Sequence, residues 1–208
     1  EMRASAKRHD DVSVAVEHIR AVRRRELLRV AMADILGLID LTTVGVGLSE
    51  LISATIDATL EVVRRRFEWS PRMAVIALGR WGGGELAYAS DADAMFVVED
   101  SDRPDAMKIA TQITTELRSV LAKAGPDPSV DIDIDLRPEG KNGPMVRSLS
   151  SFRAYYERWS STWEAQALVR AAHGAGDPEL SAELLESIDV LRYPADGLTR
   201  QQVLEIRK

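Results

Sequence analysis

The chain has 208 residues, with 33 acidic against 27 basic side chains and a formal net charge of −6, enough for one large domain with a helical appendage and no pointer to a nucleic-acid partner. Cysteine is absent and histidine is confined to His9, His18 and His173, which excludes disulfides, thiolate sites, a cysteine nucleophile and a multi-histidine metal cluster. No run reaches the ~18 apolar residues that span a membrane and no signal-peptide pattern opens the chain, so a cytoplasmic protein without a membrane partner is expected.

In chain order, residues 1–70 read as an N-terminal helical segment packed on the sheet that begins at Met73. Residues 12–36 carry Val12, Val16, Ile19, Val22, Leu27 and Val30 near helical spacing, with Gly37 as the stop. The Arg23-Arg24-Arg25 run suits a solvated helix face better than an anion site. A second helix is expected over 44–67, with Ser49 as a candidate cap and a polar connection at 68–72.

Residues 73–78 form a continuous, β-branched apolar run, as in a strand covered on both faces. Gly82, Gly83 and Gly84 then allow a sharp turn or a close approach to an anion. Ser90 and Asp91 lead into a strand at 92–98. Asp91 and Asp93 share one side of it, because side chains alternate along a strand. Two carboxylates on one side repel, and a divalent cation removes that penalty. A dinucleotide-binding turn fails on space, since residues 85–90 leave no room for a crossover helix of ~10–12 residues. The glycine spacing is wrong for it as well.

A polar loop at 101–105 and an amphipathic helix at 106–124 come next, ended by Gly125-Pro126-Asp127-Pro128. Residues 129–136 predict a third strand, with Val130, Ile132, Ile134 and Leu136 on one face and Asp131, Asp133 and Asp135 on the other. A calcium loop is excluded, since Leu136 and Asn142 replace the glycine and glutamate it needs. Aspartates are depleted from strands, so three together ask for a counter-charge. Arg137 and Lys141 follow on a turn where they could neutralise polyphosphate. Residues 150–172 predict one long helix with an aromatic stripe of Phe152, Tyr155 or Tyr156, Trp159 and Trp163, continued by Ala167 and Arg170; such a stripe is more often core than ligand site. A helix at 177–191 and a helical pattern at 198–208 complete the chain, which reads as a piece of something longer.

Trp81-Gly82-Gly83 followed by Asp91-Ala92-Asp93 resembles the signature of the polymerase-β-like nucleotidyltransferases. The stretches GRWGGGELAYASDADAMF, DLRPEGKNGPMV, YYERWSSTWEAQALVRA and GDPEL, in that order, resemble the glutamine synthetase adenylyltransferase family. The resemblance runs from about Arg24 to Leu180. It implies an α+β nucleotidyltransferase domain, a small mixed sheet flanked by helices, with its core at 71–148 and a C-terminal helical segment at 149–208. It implies Asp91, Asp93 and Asp133 as catalytic, metal-binding carboxylates for two Mg²⁺ ions. Gly82, Gly83 and Ser90 would hold phosphate oxygens of the substrate ATP, with Arg137 and Lys141 as further candidates. Asp135 departs from the pattern, standing where the family usually has arginine, which leaves open which of Asp131, Asp133 and Asp135 completes the set.

The same resemblance implies AMP transfer from ATP to a tyrosine of glutamine synthetase, and a small nitrogen-signalling protein as a regulatory partner. Such enzymes carry two homologous halves, one adding AMP and one removing it by phosphorolysis. The block at 162–171 with Gly176-Asp177-Pro178 looks like the C-terminal, adenylylating half, whereas GGGEL at 82–86 is closer to the removing half. The longer block favours adenylylation. A regulatory module that binds nucleotide without turnover is the reading from another class, and the intact acids at 91, 93 and 133 argue against it.

Overall fold

A computed structural model describes residues 1–159 and 161–207. The helices α1 (Met2–Ala6), α2 (Val12–Ile35) and α3 (Leu41–Arg64) come first. Strand β1 (Met73–Ala77), the one-turn helix α4 (Gly79–Gly82) and strand β2 (Ala92–Val98) follow, then helix α5 (Ala106–Ala122). Strands β3 (Ile132–Asp133) and β4 (Val146–Ser148) precede helices α6 (Leu149–Trp159) and α7 (Thr162–Leu168). Strand β5 (Ala172–Gly176) and helices α8 (Pro178–Arg192) and α9 (Arg200–Ile206) end the chain.

The strands make one mixed sheet in the order β3-β2-β1-β5, with β4 also pairing with β2. β1 runs antiparallel to β2, from Met73 opposite Val98 to Ala77 opposite Ala94. β3 and β4 lie parallel to β2. Both faces of the sheet are covered. Val75 and Ala77 of β1 pack with Phe96 of β2 under Leu48, Ile52, Ile56 and Leu60 of α3 and Ile113, Leu117 and Leu121 of α5. Ala74, Ile76, Met95 and Val97 pack on the other side against Phe152 and Tyr156 of α6 and Leu180, Leu184 and Ile188 of α8. Burial of both sides is why 73–78 reads as an unbroken apolar run rather than an alternating one. Among the described residues, no helix is long and apolar enough to cross a membrane.

The expected α2 ends as its sequence suggests, at Gly37 with φ +66 and its N–H donated to the Asp34 carbonyl. Other expectations need correction. Asp40, not Ser49, caps α3 by accepting from the Thr43 N–H; Ser49 is buried inside the helix and donates to the Gly45 carbonyl. Nor is the arginine run a uniformly solvated face. Arg23 is buried and donates to the Pro128 carbonyl, and the buried Arg20 reaches the carbonyls of Lys123 and Asp127. Arg24 pairs with Asp127 at 2.6 Å. These arginines tie down the loop after α5, whose carbonyls would otherwise go unpaired.

The third strand forms only two residues of ladder, although Val130, Ile132 and Ile134 are buried as alternation predicts. A turn begins at once, with the Arg137 N–H donating to the Ile134 carbonyl. The long helix predicted over 150–172 is α6, then α7, then β5; position 160 lies outside the described residues. Ser161 and Glu164 form a reciprocal capping box that starts α7 afresh. β5 is extended for a steric reason. A Cβ on Gly174 would lie 2.7 Å from the Trp81 ring and 3.0 Å from the Val75 carbonyl oxygen, so only a residue without one lets this strand lie against β1. Of the aromatic stripe, Phe152 and Tyr156 are core, while Trp159 is 71% exposed and Trp163 45%.

Candidate active site

β1 delivers the chain to the site. The Leu78 N–H still pairs with the Asp93 carbonyl, and at Gly79 the backbone turns left-handed with φ +52. A Cβ here would collide with the Asp93 carboxylate, so glycine lets that side chain lie directly on the turn. Trp81 is buried and donates its indole N–H to the Ser53 hydroxyl at 3.0 Å, fixing α4 to α3. Gly82 meets the carbonyls of Arg170 and Ala77 where its Cβ would stand. The N–H groups of Gly82 and Gly83 donate to the Leu78 and Gly79 carbonyls. In this arrangement the glycines act as a packing surface for the chain leaving α7.

Three carboxylates gather at the other end of this connection. Asp91 is exposed just before β2, and Asp93 is half-buried within it. Parallel pairing sets Asp133 of β3 opposite Asp93. Burial raises the Asp93 pKa above the usual carboxylate range, and the charges of Asp133 and Asp91 raise it further. Among the described residues no ion pair reaches these three acids. Asp131 is exposed, and Asp135 is engaged by Lys141 at 3.1 Å and Arg137 at 3.7 Å. Asp133 is therefore the third-strand acid that joins the pair, and its Oδ1 accepts from the Asp135 N–H at 2.7 Å. Among the described residues no three acidic or histidine side chains close into a finished metal cage. Mutually repelling carboxylates without a cationic partner are nonetheless a donor set that suits a hard divalent cation.

A cleft of about 820 Å³ opens beside them, within the usual range of small-molecule sites. One wall carries Ser90, Asp91 and Asp93; the other carries Leu136, Trp163, Gln166 and Ala167; Arg80 and Arg170 also line it. The Ser90 hydroxyl accepts from the Ala87 N–H at 3.0 Å, closing the turn that leads into Asp91. Gly82, Gly83, Arg137 and Lys141 are not on the lining. Arg137 is buried and donates to the carbonyls of Ile134, Lys141 and Gly143, so it knots the turn after β3. A larger groove of about 1120 Å³ lies between α2 and α3, away from the acids. The cations that do face the cleft, Arg80 and Arg170, are not marked as site residues by the sequence pattern. Their signal is positional: Arg80 sits in the glycine turn, and Arg170 follows Trp163 and Gln166 at three- and four-residue intervals.

Glu164 holds the second wall in place. It is 3% exposed and accepts from the Tyr155 hydroxyl, the Ser161 N–H and hydroxyl and the Glu139 N–H. Burial works against its charge, but the hydrogen bonds prevail and its pKa is lowered.

A family model described as glutamate-ammonia ligase adenylyltransferase matches residues 1–187. The chain belongs to that family. It is 57% identical, over its whole length, to a bifunctional glutamine synthetase adenylyltransferase/adenylyl-removing enzyme of Cutibacterium acnes, of which it covers 21%. Proteins of the same description from Mycobacterium tuberculosis and Streptomyces coelicolor are each 45% identical over 99% of this chain, which covers 21% and 22% of them. The chain thus spans about a fifth of the length of these relatives. The resemblance seen in the glycine turn, the paired aspartates and the blocks after them is borne out at the level of the family. The α+β architecture and the small mixed sheet agree with it.

Proposed function

We propose that this chain is the adenylyl-transferring half of such a bifunctional enzyme, acting in the cytoplasm to move AMP from ATP to a tyrosine of glutamine synthetase. One observation carries the reading: Asp91 and Asp93 line the cleft, and Asp133, opposite Asp93 on the neighbouring strand, joins them without an ion-pair partner among the described residues. These three would hold two Mg²⁺ ions, which when bound neutralise phosphate charge and favour ionisation of the attacking hydroxyl. Ser90 and Arg80, both on the lining, would bind phosphate oxygens, and Arg170, paired with Glu85 at 2.6 Å, would add its charge by exchanging that carboxylate for phosphate. Gly82 and Gly83 contribute by holding the floor of the cleft close to β1 and Arg170. In the reaction the tyrosine oxygen bonds to the α-phosphorus, the bond to pyrophosphate breaks, and the phenolic proton is released.

Support for adding rather than removing AMP comes from the block at 162–171, whose residues form the second wall of the cleft. The test supplies each direction separately. With α-labelled ATP and Mg²⁺, unmodified glutamine synthetase should gain labelled AMP and pyrophosphate should appear. Release of ADP from adenylylated synthetase and phosphate, with no incorporation from ATP, would identify the removing half instead. Nucleotide binding with neither reaction would mean a regulatory module.

A further inference from the structure

We propose that the α7 wall of the cleft is the nucleobase subsite, with Trp163 stacking on a purine and Gln166 reading its hydrogen-bonding edge. The proposal rests on the nucleotidyl-transfer reading above and extends it. The cleft is divided by chemistry. Asp91 and Asp93 face it from one wall, where only the phosphate end of a nucleotide, with its cations, gains by binding. The other wall offers an indole, an amide and the apolar Leu136 and Ala167, which suit a flat, uncharged ring.

Trp163 is not doing what Trp81 does. Trp81 is 3% exposed with its N–H satisfied, whereas Trp163 is 45% exposed on the cleft wall. The turn after β3 leaves the ring room: a Cβ at Gly140, had it one, would stand 3.9 Å from the indole Cη2. Glu164, the next residue, is anchored by Tyr155, Ser161 and Glu139, so the backbone carrying the ring is fixed before any ligand arrives. Gln166 is exposed three residues on, hence on the same helix face, and its amide offers the donor and acceptor that match an adenine edge. Arg170, just past the end of α7, lines the same cleft and would meet the phosphate end of the nucleotide.

The experiment is calorimetric titration of the chain with ATP, GTP and inorganic tripolyphosphate, each with Mg²⁺. Wild type, Trp163→Ala, Trp163→Phe and Gln166→Ala are compared, with circular dichroism as the check on folding. Trp163→Ala should weaken ATP about tenfold while tripolyphosphate changes less than about twofold, because stacking acts on the base alone. Trp163→Phe should recover most of the ATP affinity, and Gln166→Ala should bring ATP and GTP closer together. Unchanged ATP binding in folded Trp163→Ala overturns the proposal, and so do equal losses for ATP and tripolyphosphate. Should Trp163→Ala not fold, indole fluorescence decides: ATP must quench wild type and leave Trp163→Phe unquenched, and equal quenching overturns the assignment. Wild type that binds neither ATP nor tripolyphosphate refutes the nucleotidyl-transfer reading itself, and the base subsite with it.

Discussion

The strand pair β1–β2 and the segment from α6 to β5 form opposite sides of one cleft, yet different forces hold them. β1 and β2 are buried on both faces, and their positions are set by apolar contact with α3, α5, α6 and α8. α7 and β5 bury little by comparison. α7 is set by the charged hub at Glu164, and β5 by the absence of Cβ atoms where it passes Trp81. Burial of apolar surface is tolerant of small changes, since it adds up over many weak contacts. A single buried carboxylate or a single backbone contact is not. The cleft therefore has one robust wall and one that depends on a few atoms.

The sharpest test lies where the robust wall carries the chemistry. Asp93→Asn should cut AMP transfer by roughly 10²–10³-fold, the scale on which a placed electrostatic group acts. The folded protein should melt at the same temperature or slightly higher, because the substitution removes the burial cost of the charge and its repulsion by Asp133 and Asp91, which together raise the Asp93 pKa. Asp133→Asn should follow it, whereas Asp131→Asn, at an exposed position, should keep most activity. Assay and melting curves on the same four samples, wild type included, check all of this. A strongly destabilised but active Asp93→Asn would invert the assignment of roles.

The next effect falls on the backbone contact. Gly82→Ala places a methyl group against the Arg170 and Ala77 carbonyls, 2.6 Å from the latter, and backbone can yield little. The cost is about 1–3 kcal/mol, and a melting temperature lower by several degrees should report it. Gly83→Ala meets the Arg170 Cδ at 3.0 Å, part of a flexible chain, and the Gly79 carbonyl oxygen only at 3.4 Å, and should cost less. Equal shifts for the two would show that backbone freedom, not contact, is what these glycines supply.

The same contrast explains what the sequence made legible. Periodic burial leaves a pattern, so α2, α3, α5 and the strands at 73–78 and 92–98 can be read from apolar spacing; alternation also puts Asp91 and Asp93 on one side, but only the strand register sets Asp133, rather than Asp131 or Asp135, opposite Asp93. What was misread rests on single contacts between distant segments. Arg20 and Arg23 find their acceptors at residues 123–129, more than 100 positions away, and nothing local marks them as buried. Ala-His-Gly-Ala-Gly has no strand propensity, and β5 can lie against β1 because Gly174 brings no Cβ to the Trp81 ring and the Val75 carbonyl. The start of α7 did carry a signal, Ser161 followed by Glu164 three residues on, but aromatic periodicity ran across it. Arg80 and Arg170 stayed hidden for want of any pattern that says which arginine faces a cleft.

A smaller effect, with a pH signature, is expected at Glu164. Every neighbour it holds is a donor, so Glu164→Gln turns an amide NH₂ or a weaker acceptor toward them and should cost about 1–3 kcal/mol at neutral pH. Its pKa in the folded protein is lowered, so its stabilising contribution is fully present above the unfolded value of about 4.3 and is lost as pH falls through the folded value. Wild type and Glu164→Gln should therefore differ most near pH 7 and converge in acid. Denaturant unfolding at several pH values measures this directly, and a gap that stays constant into acid would mean that the charge of Glu164 is not what matters.

The smallest effect separates the two exposed tryptophans. Periodicity places Trp159 and Trp163 in one core stripe with Phe152, yet Trp159 ends α6 at 71% exposure while Phe152 is 2% exposed. Truncating a buried aromatic costs about 3–5 kcal/mol, whereas a substitution at an exposed site without specific partners stays within about 0.5 kcal/mol. Trp159→Ala should accordingly leave the melting temperature within about 2 °C of wild type, given the shallow dependence expected at this chain length. It should also leave ATP affinity unchanged, because Trp159 is not part of the cleft lining. That second readout keeps the comparison with Trp163 sharp, since both indoles are exposed and only one faces the site. A melting temperature lowered by more than about 5 °C would return Trp159 to the core stripe. Weakened ATP binding without loss of stability would extend the cleft along α6 and dissolve the distinction between the two walls.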